Sequence, residues 1–444
     1  MRHILLIGAG RSSSSLIQYI TANASVQNWT LTVADVSEDL AKQKTVGHER
    51  ARAIRFDVND EKQRVEEIRK SDIVISMLPA HMHLPVAKEC VSEKKNLVTA
   101  SYVTGEMRAL DEQAKKNDVL FLNECGLDPG IDHMSAMKII EEIRAEKGEV
   151  ISFKSYTGGL VAPESNDNPW GYKFSWNPRN VILAGQGTAT YIEENKYRYI
   201  PYNRLFTQVD QVHVEGFDPF DGYANRDSLA YRKIYGLENI PTMLRGTLRQ
   251  KGFCKAWNVF VQLGLTNDSY VIEDSEHLSF RQLTEAFLPV DSPGKTTLER
   301  LAKFMNEKVD SEMMQKIAWT GILDDQPIGL KKATPAQILQ FLLEQKWKLK
   351  ESDKDMVVMQ HLFVIKNSEL RMQNLVSTLV VRGDDQLNTA MAKTVGLPLA
   401  IATKLILNRE VKLKGVQIPV VKEIYEPILK ELKNFGIVFK DETN

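Results

Sequence analysis

Within the first 125 residues of this 444-residue chain, short apolar runs alternate with segments of helical periodicity. "HILLIGA" reads as a buried strand and "SSLIQYITANA" as a helix with Leu16, Ile17 and Ile20 on one face. "WTLTVAD" is the next strand, and "SEDLAKQKTV" the next helix, with Ser37 as its N-cap. "ARAIRFDV", "DEKQRVEEIRK", "SDIVISMLP" and "HLPVAKECVSE" continue the alternation, with Pro85 in the first turn of the last helix. "KNLVTAS" and "DVLFLNE" supply a fifth and sixth strand. Strand-helix alternation demands a parallel sheet with right-handed crossovers. Strands apolar on both faces demand helices on both sides of it.

The remainder of the chain is patterned differently. "KGEVISFKSYTGGL" and "FTQVDQVHVEGF" alternate as strands of a mixed sheet, and between them lies the polar and aromatic stretch "VAPESNDNPWGYKFSWNPRNV". A loop of that length and composition is a functional candidate. From about Ser279 to Val364 the pattern is helical, "SELRMQNLVSTLVVRG" returns to strand, and "NTAMAKTVGLPLAIATKLILN" reads as an apolar helix broken near Gly396 and Pro398. That helix and the "TLVVRG" strand bury either core or the surface of a homodimer, core being the commoner fate. The C-terminal "VKEIYEPILKELKNFGI" is amphipathic.

Composition excludes several function classes. The 57 basic and 58 acidic residues leave a formal charge of −1, which supports neither nucleic-acid nor membrane-surface binding. No run of 18 apolar residues occurs, so no membrane span is expected. Cys90, Cys125 and Cys254 are odd in number, far apart and without zinc-like spacing, which suggests a reducing compartment and no metal. With a strand starting close to Met1 and no signal-like region before it, a cytoplasmic location is expected.

Gly8, Gly10 and Ser13 stand in G-x-G-x-x-[G/A/S] spacing between the first strand and the first helix. Gly8 permits the tight turn, Gly10 lets the backbone approach a pyrophosphate, and Ser13 is small where helix and strand pack. Arg11, Ser12 and the helix start offer donors to phosphate. Asp35 ends the second strand, where a carboxylate accepts from the adenosine ribose hydroxyls and repels a 2′-phosphate, which favours NAD. Arg11 argues mildly for NADP, so NADP stays open. Asp57 and Leu78, after the third and fourth strands, join the cofactor set.

Further strand ends carry candidate chemistry. His81 and His83 read as solvated residues at a helix start. Ser101 and Tyr102 follow the fifth strand, and Glu124 and Asp128 the sixth, so all four lie at one edge of the sheet. Farther on, "GYANRDS" and "LRGTLRQKGFCKAW" bring Arg226, Arg245 and Arg249 near Asn225, Thr247 and Tyr223. Guanidinium groups bind carboxylates through paired planar hydrogen bonds, so the cluster suits a polycarboxylate ligand, or else structural ion pairs.

"NECGLDPGIDHMSAMKIIEEI", "SYTGGLVAPESNDNPWGYKFSW", "YANRDSL" and "LRGTLRQKGFCKAWN" together resemble the glutamate-forming saccharopine dehydrogenases, also called saccharopine reductases, over most of the chain. The resemblance implies an N-terminal Rossmann domain (1–126, completed by about 390–444), a mixed-sheet α+β substrate domain (127–278 and 365–389) and a helical insertion (279–364). It implies NAD(P)-dependent, reversible oxidation of saccharopine to glutamate and 2-aminoadipate 6-semialdehyde. Ser101, Tyr102, Asp128, Arg226 and Thr247, Leu248 and Arg249 match the family's saccharopine-binding positions, and Ser175 a position near the cofactor. Saccharopine has three carboxylates, in keeping with the arginines. Its secondary amine must be neutral before oxidation, and Asp128, or alternatively Tyr102, is placed to take that proton. Asp35 departs from the NADP-using fungal members, which leaves the physiological direction open. The alternatives are a carboxynorspermidine-type dehydrogenase, whose polyamine substrate would need carboxylates where Arg226 and Arg249 stand, and a dinucleotide-binding regulatory protein without turnover.

Overall fold

The computed structural model describes residues 1–443. The chain resolves into two compact units, one made of Met1–Val150 and the chain from Val364 onward, the other of Ile151–Phe363. This division differs from the three parts read from the sequence: residues 127–150 and 365–389, read there as substrate domain, fall in the first unit, and 151–278 and nearly all of 279–364 share the second.

The first unit holds β1 (Arg2–Ile7), β2 (Trp29–Asp35), β3 (Ala51–Arg55), β4 (Ile73–Ser76), β5 (Asn96–Thr99) and β6 (Leu120–Leu122), all parallel, in the spatial order β6-β5-β4-β1-β2-β3. The strand Gly415–Gln417 adds itself parallel to β6 as a seventh, a contribution the sequence pattern did not disclose. The crossover helices start where their caps dictate. In α1 (Ser14–Gln27) the chain leaves the glycine turn directly into helix. In α2 (Glu38–Thr45) the Ser37 hydroxyl accepts from Leu40 N at 3.3 Å. In α3 (Glu61–Lys70) the Asp60 carboxylate accepts from Gln63 N at 3.1 Å. Both caps satisfy donors that the helix itself leaves orphaned. α4 (His83–Ser92) accommodates Pro85 in its first turn, where no intrahelical N–H is needed. One core joins Leu5, Ile7, Val74, Leu97 and Phe121 of the sheet to Val86 and Cys90 of α4. Burying each such aliphatic side chain stabilises the fold by roughly 1.5–3 kcal/mol.

The helix Ala390–Leu407 runs unbroken through Gly396 and Pro398, against the sequence expectation of a break. Packing explains the glycine, because a Cβ on Gly396 would lie 2.9 Å from Leu16 N and 3.1 Å from Ser12 O. Its bare backbone is what lets this helix lie against the start of α1. The helix is long and apolar enough to cross a membrane, yet 83% of it is buried within the protein.

In the second unit, β7 (Glu149–Val161), β8 (Thr188–Glu193), β9 (Lys196–Pro201), β10 (Val209–Val212), β11 (Phe220–Ala224), β12 (Thr242–Arg249) and β13 (Asp355–Lys366) form a sheet of order β10-β11-β12-β7-β13. β8 and β9 make a hairpin that joins β12 through β8. β12 is parallel to β7 and antiparallel to β11. The helices Phe280–Phe287 and Pro335–Lys346 both open on capping boxes, Ser279 with Gln282 and Thr334 with Gln337. Asp355–Val364 is strand, where the sequence pattern read helix. "DMVVMQHLFV" is covered on both faces, so it lacks the alternation that marks a half-exposed strand.

Candidate active site

The glycine turn lies at the carboxyl edge of the parallel sheet, beside the switch point between β1 and β4 where such folds take ligands. Gly8 has φ +104°, and a Cβ there would meet Met77 O at 2.8 Å, so only glycine fits. Around Gly10 a Cβ would meet nothing within 4 Å. The backbone is therefore open to close approach there, as a pyrophosphate requires. Ser13 is fully buried, and its hydroxyl donates to Gly10 O at 2.9 Å, tying off the turn. Arg11 is exposed. Asp35 caps the turns on both sides of it. Its Oδ2 accepts from Ala9 N at 2.7 Å and its Oδ1 from Ser37 N at 2.9 Å. Each carboxylate oxygen keeps acceptor capacity for a ribose hydroxyl. Asp57 is exposed and closes its own turn by accepting from Asn59 N at 2.9 Å, and Leu78 is partly buried against the core. The residues therefore fit a dinucleotide. Gly10→Ala should leave folding unchanged or improve it by about 0.4–1 kcal/mol, since its φ of −63° suits alanine. It should weaken dinucleotide binding on the order of tenfold by placing a methyl in the phosphate's path. Calorimetric NADH titration beside a melting curve checks both halves.

Ser101, Tyr102 and Asp128 converge within the same unit. The Tyr102 hydroxyl donates to Asp128 Oδ1 at 3.0 Å. Glu124 ties the two loops together. Its backbone N–H donates to Ser101 O at 3.1 Å, and its Oε1 accepts from Val103 N at 3.0 Å. Its Oε2 meets His133 Nε2 at 2.9 Å in a fully buried contact. The loop bearing Asp128 closes on itself, Gly126 N donating to Pro129 O at 3.0 Å and Ile131 N to Gly126 O at 2.9 Å.

His83 corrects the sequence reading. His81 is exposed, but His83 is 4% exposed and lies between two serines, Nδ1 2.8 Å from Ser76 Oγ and Nε2 2.7 Å from Ser101 Oγ. Burial, with a smaller push from His81, lowers its pKa to about 4. The neutral ring donates through one nitrogen and accepts through the other, so it fixes the Ser101 hydroxyl. A cavity of about 180 Å³ adjoins it, lined among others by His81, Ser101, Tyr102, Thr104 and Asn123. The Asn123 Oδ1 is buried without a hydrogen-bond partner. Asn123 does not stand out in sequence, and His83 is noticeable there but reads as solvated, because each is recruited by neighbours brought in by other strands.

In the other unit, the register of β11 on β12 sets Tyr223 beside Thr247, Gly222 beside Leu248 and Asp221 beside Arg249. Arg245, Thr247 and Arg249 share a face by strand alternation. Arg245 is buried against the Tyr231 ring, 4.5 Å from its centroid. Arg226 is exposed on the following loop with φ +48°. Arg249 is only 3% exposed and sits 5.3–5.9 Å from the ring centroids of Tyr172, Phe253 and Tyr223. Its Nη1 donates to Leu248 O at 2.9 Å and its Nε has no partner. Among the described residues it forms no ion pair. Ser175 is buried too, its hydroxyl unpartnered. A buried cation with no counter-charge is costly to keep unless a ligand supplies the anion.

Comparison with known proteins gives these features a family. Residues 4–122 match the saccharopine dehydrogenase NADP binding domain and residues 126–437 the saccharopine dehydrogenase C-terminal domain. The chain is 33% identical to saccharopine dehydrogenase [NADP(+), L-glutamate-forming] of Pyricularia oryzae, covering 99% of each. It is 34% identical to the mitochondrial alpha-aminoadipic semialdehyde synthase of Bos taurus, of which it spans 48%. The structure of apo saccharopine dehydrogenase (L-Glu forming) from Saccharomyces cerevisiae superposes with a TM-score of 0.89 at 32% identity, covering 100% of both chains. Glycine turn, Tyr102–Asp128 pair and arginine-bearing strand thus stand in a chain that belongs to the saccharopine dehydrogenase family.

Proposed function

We propose that this chain is an L-glutamate-forming saccharopine dehydrogenase, catalysing the reversible oxidation of saccharopine to glutamate and 2-aminoadipate 6-semialdehyde. The observation that carries this reading is Arg249, a buried guanidinium in an aromatic cage with no ion-pair partner. It is suited to a substrate carboxylate, with Arg226, Thr247 and Leu248 as further contacts. Gly8, Gly10, Arg11, Ser12, Ser13, Asp35, Asp57, Leu78 and Ser175 are the cofactor set.

A bound nicotinamide dinucleotide would supply the two-electron acceptor. The remaining work falls to the chain. The secondary amine of saccharopine arrives protonated, and its C–H bond is oxidised only after that proton leaves. The Asp128 carboxylate, held by the Tyr102 hydroxyl, is placed to orient or accept it. Ser101, fixed by His83, presents a hydroxyl to the substrate. Water then hydrolyses the substrate imine to the two products. Much of the rate in such a step comes from holding the reactants in place. Asp35 argues for NAD, while the NADP named for the matching dinucleotide domain and for the fungal relative keeps NADP open. Purified protein should reduce NAD when given saccharopine, and far more slowly with lysine or glutamate. Absence of saccharopine-dependent reduction with both NAD and NADP would overturn the assignment.

A further inference from the structure

Lys44, which no motif singled out, lies at the end of α2, and its ammonium reaches the dinucleotide turn. Nζ donates to the Gly10 carbonyl and, at 2.8 Å, to Ser13 Oγ. An ammonium has three donors, and these two partners are neutral. The nearest carboxylate acting on it is Asp35. Asp35 has its two oxygens on Ala9 N and Ser37 N instead. Lys44 and Asp35 are thus two opposite charges at the same turn, Lys44 on the Gly10 carbonyl and Asp35 on the Ala9 N–H, and the end of β2 is where such folds read an adenosine ribose. Partial burial strengthens such charges. It also lowers the Lys44 pKa to about 8, with Asp35 opposing the shift, and an added anion would relieve that cost.

We propose that Lys44 is a specificity-determining residue for the cofactor: its fixed positive charge offsets Asp35 and admits a ribose 2′-phosphate, so that the chain binds NADP as well as NAD. The proposal rests on the dinucleotide assignment and leaves the saccharopine assignment aside, and it makes Asp35 alone an incomplete guide to cofactor choice.

The test is calorimetric titration of NADPH and NADH into wild type, Lys44→Met, Lys44→Gln and Lys44→Arg, each checked for native circular dichroism. Methionine should weaken NADPH at least tenfold and NADH less than threefold. Glutamine keeps a donor for Gly10 O without the charge and should behave like methionine. Arginine should restore NADPH to within threefold of wild type. Equal losses for the two dinucleotides would make Lys44 a support of the turn only and overturn the proposal. So would a glutamine variant that binds NADPH normally, or a wild type that takes NADH but no NADPH. A wild type that binds neither would remove the dinucleotide assignment and this proposal with it.

Discussion

Arg249→Met should bind saccharopine at least thirtyfold more weakly and yet melt no lower than the wild type. Removing one member of a buried, hydrogen-bonded charge pair costs about 2–5 kcal/mol, which is roughly thirtyfold to several thousandfold in affinity. Folding is expected to respond in the other direction. In the ligand-free protein the guanidinium is buried without an ion-pair partner, among Tyr172, Tyr223 and Phe253. Methionine fills similar volume and removes the desolvation cost of a buried charge, which is on the order of several kcal/mol per ion. Loss of the ring contacts takes back about 0.5–2 kcal/mol of that. Steady-state kinetics at saturating dinucleotide and a calorimetric melt decide the matter. A variant with unchanged saccharopine KM and a lower melting temperature would show that Arg249 serves the aromatic cluster and not a ligand.

Gly130→Ala should be the most damaging small substitution near the Asp128 loop. Gly130 has φ +150°, and a Cβ there would fall 2.1 Å from Gly126 O and 2.3 Å from Gly126 N and C. All three contacts are backbone, so no side chain can rotate away. The loop must open, which breaks the hydrogen bonds that Gly126 makes with Pro129 and Ile131 and the 2.6 Å bond from Gly130 N to Asp132 Oδ1. Asp128 then leaves the Tyr102 hydroxyl. A shift of about 1 Å in a positioned catalytic group can cost on the order of a hundredfold, so kcat should fall at least that far. Dinucleotide affinity should change little, because the glycine turn belongs to a different loop. A variant with near-normal kcat would mean that the loop tolerates opening or that Asp128 takes no part in the chemistry.

The parallel sheet was legible up to its sixth strand because strands such as β1 and β4 are short and apolar and helices with visible starts, as at Ser37, follow them in alternation. Where those signals fail, so does the reading. Asp355–Lys366 is long and covered on both faces, and nothing in its periodicity separates it from helix. Gly396 and Pro398 looked like a break, but the glycine is a packing surface for α1. The site shows the same limit. Gly8, Gly10, Asp35 and Asp128 are marked by residue type and position. Arg249 was visible as an arginine, whereas its burial without an ion-pair partner depends on rings from distant segments. Lys44 did leave a trace, since it follows buried Ala41 by three residues and therefore shares the inward face of α2. His83 was visible as a histidine but read as solvated, because its meaning comes from hydroxyls at the ends of two neighbouring strands.

The late return of the chain to its first unit has a consequence for biosynthesis. The glycine turn is made before the other unit, but the helix that backs it at Gly396 and the strand Gly415–Gln417 that covers β6 are made only after it. The intervening unit, Ile151–Phe363, is contiguous and can complete its contacts first. Until Gly415–Gln417 has been made, Leu120–Leu122 is an apolar strand with a bare edge, the kind of surface that recruits other chains. Premature termination anywhere between about residues 364 and 410 would therefore release a polypeptide with one finished half and one adhesive half, a natural client for chaperones and proteases.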